Sequence, residues 1–222
     1  MTTVADAIET AGRPAGRPAR TEDATGGSRP HRPRADAVRN RERIVAAARD
    51  AFVEYGPEAP LDEIARRAGI GNATLYRHFA DRNALAHAVL LSVVTRTADS
   101  AAAEAGTAAG GGDALAALGR FAHEAVDANV GALCGLLVGC AESRSPELTA
   151  QKARFEAAVD ELMARARSVG ALRADVTRTD LMVVLSRLTR PLPGIDCPGD
   201  DVHRHLQLFL DGLTPQHLTT PQ

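Results

Sequence analysis

Between Asn72 and Arg82 the chain reads NATLYRHFADR. Amide, hydroxyl, phenol, guanidinium and imidazole groups crowd into one short stretch. No general base, nucleophile or metal set is arranged among them. The chain has no G-x-S-x-G elbow and no H-E-x-x-H. GTAAGGG at 106–112 lacks the Gly-Lys-Ser/Thr that would complete a phosphate loop. The chemistry these groups suit is recognition. Asn matches the N6 and N7 of adenine in a bidentate pair, Arg matches guanine or phosphate, and hydroxyls bond phosphate oxygens.

Recognition of that kind needs a rigid mount, and the flanking residues supply one. Leu61, Ile64, Ala65 and Ala68 recur at helical spacing. Gly69 follows where a helix C-terminus takes a residue tolerant of positive φ, and Ile70 plugs the corner. A second helix runs from about Asn72 to Phe79 and buries Leu75 and Phe79. Helix, glycine turn, helix is the helix-turn-helix pattern, whose second helix lies in the major groove with its N-terminal residues at the base edges. Upstream, 35–55 is helical, with Ile44, Ala48, Ala51, Phe52 and Tyr55 as its apolar stripe and Arg39, Arg41, Glu42, Arg43, Arg49 and Asp50 on the other face. Gly56-Pro57 ends it. Arg39 and Arg43 either touch a phosphate or are solvated. Downstream, Asp81 caps a helix to about 103, through Leu85, Val89 and Val93, long enough to join this domain to a second one.

IARRAGIGNATLYRHFADRNAL resembles the DNA-binding motif of the TetR family of bacterial transcriptional regulators. Ile64, Ala65, Ala68, Gly69, Ile70, Thr74, Leu75, Tyr76, His78 and Phe79 fit its pattern. Arg82 stands where the family usually has Lys, and Gly71 and Pro60 stand where it often has a capping Ser or Thr. The resemblance implies that Asn72 and Ala73 face base edges and that Thr74 and Tyr76 bond phosphates. It places His78 at the DNA backbone, Arg77 at a guanine or a phosphate, and Arg82 on a phosphate at the start of the long helix. For Tyr76 and His78, packing without DNA contact is the competing reading. The resemblance also implies a repressor released from a palindromic operator by a small-molecule effector, acting as a homodimer.

The whole chain has 222 residues, 45% hydrophobic, 24% charged and only 3% aromatic. Its core must come from Ala, Leu and Val, which favours close-packed helices. Net charge is −2, but residues 1–82 hold fourteen Arg against twelve acids, so the basic surplus lies in the N-terminal third. Cys134, Cys140 and Cys197 fit neither a disulfide framework nor a zinc site. No stretch suits a transmembrane helix or a secretion signal, so the cytoplasm, beside the nucleoid, is the expected compartment. Residues 1–34 read as a disordered Arg/Pro-rich arm. GRPAGRP (12–18) and SRPHRPR (28–34) are either solvated or lay arginine into an A·T-rich minor groove, with Arg29, Arg32 and Arg34 best placed.

The expected organisation is all-α: arm 1–34, three-helix DNA-binding domain 35–80, helical effector-binding and dimerisation domain 81–213, and tail 214–222. In the second domain Asp113 and Ser145 cap helices, Thr177 or Thr179 caps another, and Asp200-Asp201 opens the last. A segment interrupted by Gly131, Gly135 and Gly139 lies between the first two. Phe121, Leu133, Leu137, Phe155, Val159 and Met163 are expected to line an effector pocket, or else to form an ordinary core, with Arg120, His123 and Asn129 as its polar groups. Leu181, Val184, Leu185 and Leu188 with Val202, Leu206, Phe209 and Leu210 are expected to form a four-helix dimer seam. His123 stands alone beside Glu124, and His203 and His205, two apart, cannot converge on a metal. No cofactor or metal is expected. The rival classes are an architectural DNA protein working through its arm and a helical enzyme with an unrecognised site. The size of the second domain speaks against the first, and the missing motifs against the second.

Overall fold

The computed structural model describes residues 33–133, 145–190 and 199–215. Every regular element among them is a helix. Helix α1 spans Pro33–Tyr55, α2 Leu61–Ala68, α3 Asn72–His78 and α4 Arg82–Ala109. Helix α5 spans Ala114–Asp127, α6 Pro146–Ser168, α7 Arg178–Leu188 and α8 Gly199–Asp211. A further helical turn opens at 130 and leads to 134–144, outside the described residues. Cys134, Leu137, Cys140 and Cys197 lie outside them, as does the arm through Arg32.

Local chemistry sets the starts. Asp81 accepts from the Ala84 N–H at 2.8 Å, Asp113 from Leu115 and Ala116, and Ser145 from Leu148 with Pro146 behind it. Thr177, not Thr179, caps α7, because Asp180 reaches back to the Thr177 N–H at 2.7 Å and closes a capping box. Pro60 and Gly71 head α2 and α3 without a side-chain cap.

Two cores form. Ile44, Ala48 and Phe52 of α1 meet Ile64, Leu75, Phe79 and the first half of α4. Ala101 and Ala105 of α4 join Phe121, Val159, Met163, Leu181, Leu185, Leu206 and Leu210 in the second. Helix α4 is common to both cores and, among the described helices, packs along α6 more extensively than any other pair. Its 28 residues span about 42 Å.

Several expectations are corrected. Helix α4 does not stop near 103 but runs through Gly106 to Ala109. Ala101, Ala105 and Ala108 are buried on one face there, and alanine's helix propensity offsets the single glycine. The break falls at Gly110–Gly112, with Gly111 at φ 96°. Tyr55 leaves the α1 stripe and is half exposed, its ring lying 5.4 Å from the Arg67 guanidinium carbon. Leu181, Leu185, Leu206 and Leu210 are buried within a single chain and are not free for a partner. Their neighbours across α5 and between α7 and α8 already cover them.

Candidate nucleic-acid interface

Helix α3 has seven residues, too few to hold itself in water. It is fixed from outside. Leu75 and Phe79 anchor its inner side, each 2% exposed. At its C-terminal end Arg41 Nη1 donates to the His78 carbonyl at 3.2 Å, and the same guanidinium lies 4.3 Å from the Phe79 ring centroid. At its N-terminal end Asn72 Nδ2 donates to Asp62 Oδ1 at 2.6 Å.

Helix α2 is tied by the same strategy. Gly69 takes φ 64°, and the Ile70 N–H returns to the Ala65 carbonyl at 3.0 Å. Arg43 Nη2 donates to the Ala68 carbonyl at 2.5 Å. A Cβ on Gly69 would stand 2.8 Å from that nitrogen, so glycine is needed for the turn and for the arginine's seat. Arg41 and Arg43 are two apart on α1, project to different sides, and each places a cation at a helix C-terminus. Both arginines are thus ties between helices, neither solvated nor free for a phosphate through the nitrogens engaged here. The sequence offers no signal for these ties, because the carbonyls they reach lie 37 and 25 residues away.

With Leu75 turned inward, Asn72, Ala73, Tyr76 and Arg77 are exposed, and Thr74 and His78 are half-buried. The four exposed residues fall within an arc of about 140° at 100° per residue, a single outward face. Arg77 has no hydrogen bond or ion pair among the described residues. Arg39 is ion-paired with Asp36 and 64% exposed at its side chain. Arg34 is in the first turn of α1, and only its backbone is described. Arg82 is engaged internally: Nη1 donates to the Pro57 carbonyl at 3.0 Å and the Ala59 carbonyl at 2.6 Å, tying the α1–α2 loop to the start of α4.

Behind this face, Glu63 receives Arg66 and Arg67, each at 2.7 Å, and Arg67 also reaches Glu54 at 2.6 Å. The hydrogen bonds from Arg66 and then Arg67 hold the Glu63 carboxyl down at about 2. A depressed folded-state pKa stabilises the fold above the unfolded value of 4.5, and that contribution is lost as pH falls toward 2. Glu63→Gln should therefore flatten the acid limb of stability between those pH values and leave pH dependence above 6 unchanged. Chemical denaturation across pH checks this, and an unaltered acid limb counts against it.

Among the described residues of the expected effector lining, the side chains are packed as core and do not surround an open pocket. Phe121, Val159 and Met163 are packed in the second core at 0–1% exposure, with Phe155 half-buried and its ring 6.0 Å from that of Phe121. Leu133 is in the other core, with the DNA-binding helices, because α5 has ended and the chain has turned through Asn129 at φ 52°. A cleft of about 980 Å³ lies between α1, α2, α4 and α5, and of the five expected residues that are described it meets only Phe121. Several charged residues of its wall are already paired: Glu104 holds Arg120 at 2.6 Å, Asp99 holds Arg154 at 2.5 Å, and Asp127 holds His203 at 2.8 Å. Arg120 is thus taken, and Asn129 lines this cleft. His123 is not alone: its Nδ1 lies 2.7 Å from His203 Nδ1 across α5 and α8, with the rings stacked 5.0 Å apart. Among the described residues no three His, Cys, Asp or Glu converge on a metal position, and no helix is long and apolar enough to cross a membrane.

Two family models match the chain. Residues 44–89 match bacterial regulatory proteins of the TetR family, and residues 113–215 match the C-terminal domain of SbtR-like transcriptional regulators. A TetR transcription regulatory protein from Mycobacterium vanbaalenii is 35% identical; its crystal structure aligns over 82% of this chain and 99% of that one, with a TM-score of 0.57. A TetR transcriptional regulator from Streptomyces coelicolor is 30% identical over 79% of this chain and 99% of its own, also at 0.57. An uncharacterised helix-turn-helix transcriptional regulator from Pseudomonas putida is 44% identical over 59 residues, 26% of this chain. The chain spans 44% of that curated relative and 31% of the Staphylococcus aureus regulators it also matches.

Proposed function

The chain belongs to the TetR family of bacterial regulatory proteins, and from that premise we propose that it is a repressor whose α3 face reads a palindromic operator and is withdrawn by a small-molecule effector. It is a DNA-binding transcriptional regulator by family. The observation that carries the finer reading is the outward face of α3, where Asn72, Ala73, Tyr76 and Arg77 stand exposed while Leu75 anchors the helix from behind. In this reading Asn72 and Ala73 meet base edges, and Arg77 meets a guanine or a phosphate. Thr74, Tyr76 and His78 lie along the phosphates, with Arg39 and Arg34 beside them. Arg82 keeps its loop ties, and through them sets the angle at which α4 leaves the domain.

A palindrome requires a two-fold dimer. Val183 on α7 and Leu208 on α8, 52% and 58% exposed, are large apolar residues on the two helices that would form the seam. Effector release requires a ligand that prefers the spread arrangement of the two readers. Phe155 is the half-open member of the α5–α6 contact, so an effector entering there meets Phe155 first and reaches Phe121, Val159 and Met163 as the core parts. The shortage of aromatics favours an aliphatic or mixed ligand over a flat stacked one.

Selection from random duplexes tests the reading. The purified protein should enrich one palindromic sequence, and Asn72→Ala should lose about 1–3 kcal/mol of preference at one base pair in each half-site. Enrichment of no sequence, or an Asn72→Ala profile identical to wild type, would overturn it.

A further inference from the structure

We propose that Asp62 is a specificity-determining residue: it holds the Asn72 amide in one of its two orientations, so that Asn72 accepts adenine and rejects guanine. This rests on the operator-reading role of α3 given above. Asp62 is in the first turn of α2 and Asn72 is the first residue of α3, ten positions on. Their side chains meet at 2.6 Å, on the same exposed side of the domain. Asp62 makes no other hydrogen bond or ion pair among the described residues.

The contact has a direction. An ionised carboxylate only accepts, so it must face the amide nitrogen. Turning the Asn72 amide over would set its oxygen against the Asp62 oxygen, two acceptors in contact. The turned form is therefore disfavoured, and the nitrogen spends one of its two N–H groups on Asp62. What remains for a base is one N–H and the carbonyl oxygen. Adenine offers N7 as acceptor and N6 as donor, which this pair completes. Guanine offers two acceptors, N7 and O6. An unrestrained amide can turn both N–H groups toward them, whereas the restrained one leaves its oxygen facing O6. The Asp62 charge also repels phosphates of any sequence. Asp62 thus lowers affinity in general while sharpening the choice between bases.

The test uses the full chain and two duplexes: the selected operator, and the same operator with guanine at the base pair that Asn72→Ala identifies. Wild type should prefer the first on the order of tenfold. Asp62→Ala should reduce that ratio to the value shown by Asn72→Ala and tighten binding to both duplexes a few-fold. Asp62→Asn removes the charge and can donate as well as accept, so it no longer fixes the Asn72 amide; it should tighten both and lower the ratio as Asp62→Ala does. Asp62→Ala combined with Asn72→Ala should lose no more discrimination than either alone. Thermal melts of all variants should match, which separates this effect from loss of folded protein. The proposal is overturned if Asp62→Ala or Asp62→Asn keeps the wild-type ratio. A wild type that shows no preference between any duplexes overturns the operator reading and this proposal together. A normal Asn72 effect with an unaltered Asp62→Ala ratio removes this proposal alone.

Discussion

Leu185→Asp should unfold the C-terminal core instead of splitting a dimer into intact protomers. Leu185 has no solvent exposure and is packed with Leu181, Leu206 and Leu210 inside one chain. A carboxylate there would lie among apolar side chains, out of reach of water. It would be buried uncharged, or the helix would swing out, and either costs about 4 kcal/mol or more, at the far end of what single substitutions do. The contrast is with Val183→Asp and Leu208→Asp. Both positions are more than half exposed, so a charge costs little in one chain and disrupts a seam between two. Melting and sedimentation together decide it. The expected pattern is a collapsed melt for Leu185→Asp, and near wild-type melts with monomeric sedimentation for the other two. A folded, monomeric Leu185→Asp would reverse the assignment of faces.

Gly131→Ala should lower stability by about 3 kcal/mol, the upper part of the range for overpacking. For a chain of this size that is a fall in Tm of roughly 6–12 °C. A Cβ on Gly131 would overlap the Thr189 hydroxyl and lie 2.5 Å from the Ser186 carbonyl oxygen and 2.6 Å from the Ser186 Cα. The hydroxyl is bonded to the Leu185 carbonyl at 2.9 Å, and the other two atoms are backbone, so none can turn aside. The segment after α5 and helix α7 must move apart. Gly119→Ala is the control. It lies inside α5, its nearest neighbour is the Leu210 methyl at 3.8 Å, and the change should be neutral or gain up to about 1 kcal/mol of helix propensity. Equal melts for the two alanine variants would refute the close crossing.

The glycines show how far the sequence alone reaches. Three of them between 131 and 139 pointed either to close packing or to a wall around a ligand. Only the contact with Ser186 and Thr189 decides for close packing at Gly131, because those residues are more than fifty positions away. The effector lining was undecided in the sequence for the same reason. Phe121, Val159 and Met163 have the periodicity of a buried face, and that periodicity is the same whether the face meets a ligand or other side chains. The expected dimer stripe likewise named buried leucines, since the width of an apolar face does not say which chain covers it.

What the sequence determined by itself is what depends on neighbours within one turn of helix. Gly69 ends α2 through its own φ, Asp81, Asp113 and Ser145 cap the helices that follow them, and Leu75 and Phe79 turn inward by spacing. Together these fix the helix-turn-helix and the outward face of α3 before any tertiary contact is known. The tertiary structure alone decided what each long polar side chain does. Arg41, Arg43 and Arg82 are tied to backbone carbonyls, His123 pairs with His203, and Asp62 meets Asn72. The physical reason is reach. A capping oxygen bonds the next turn whatever the fold, whereas a guanidinium or carboxylate at the end of a flexible stem takes whichever partner the packing of distant helices brings to it.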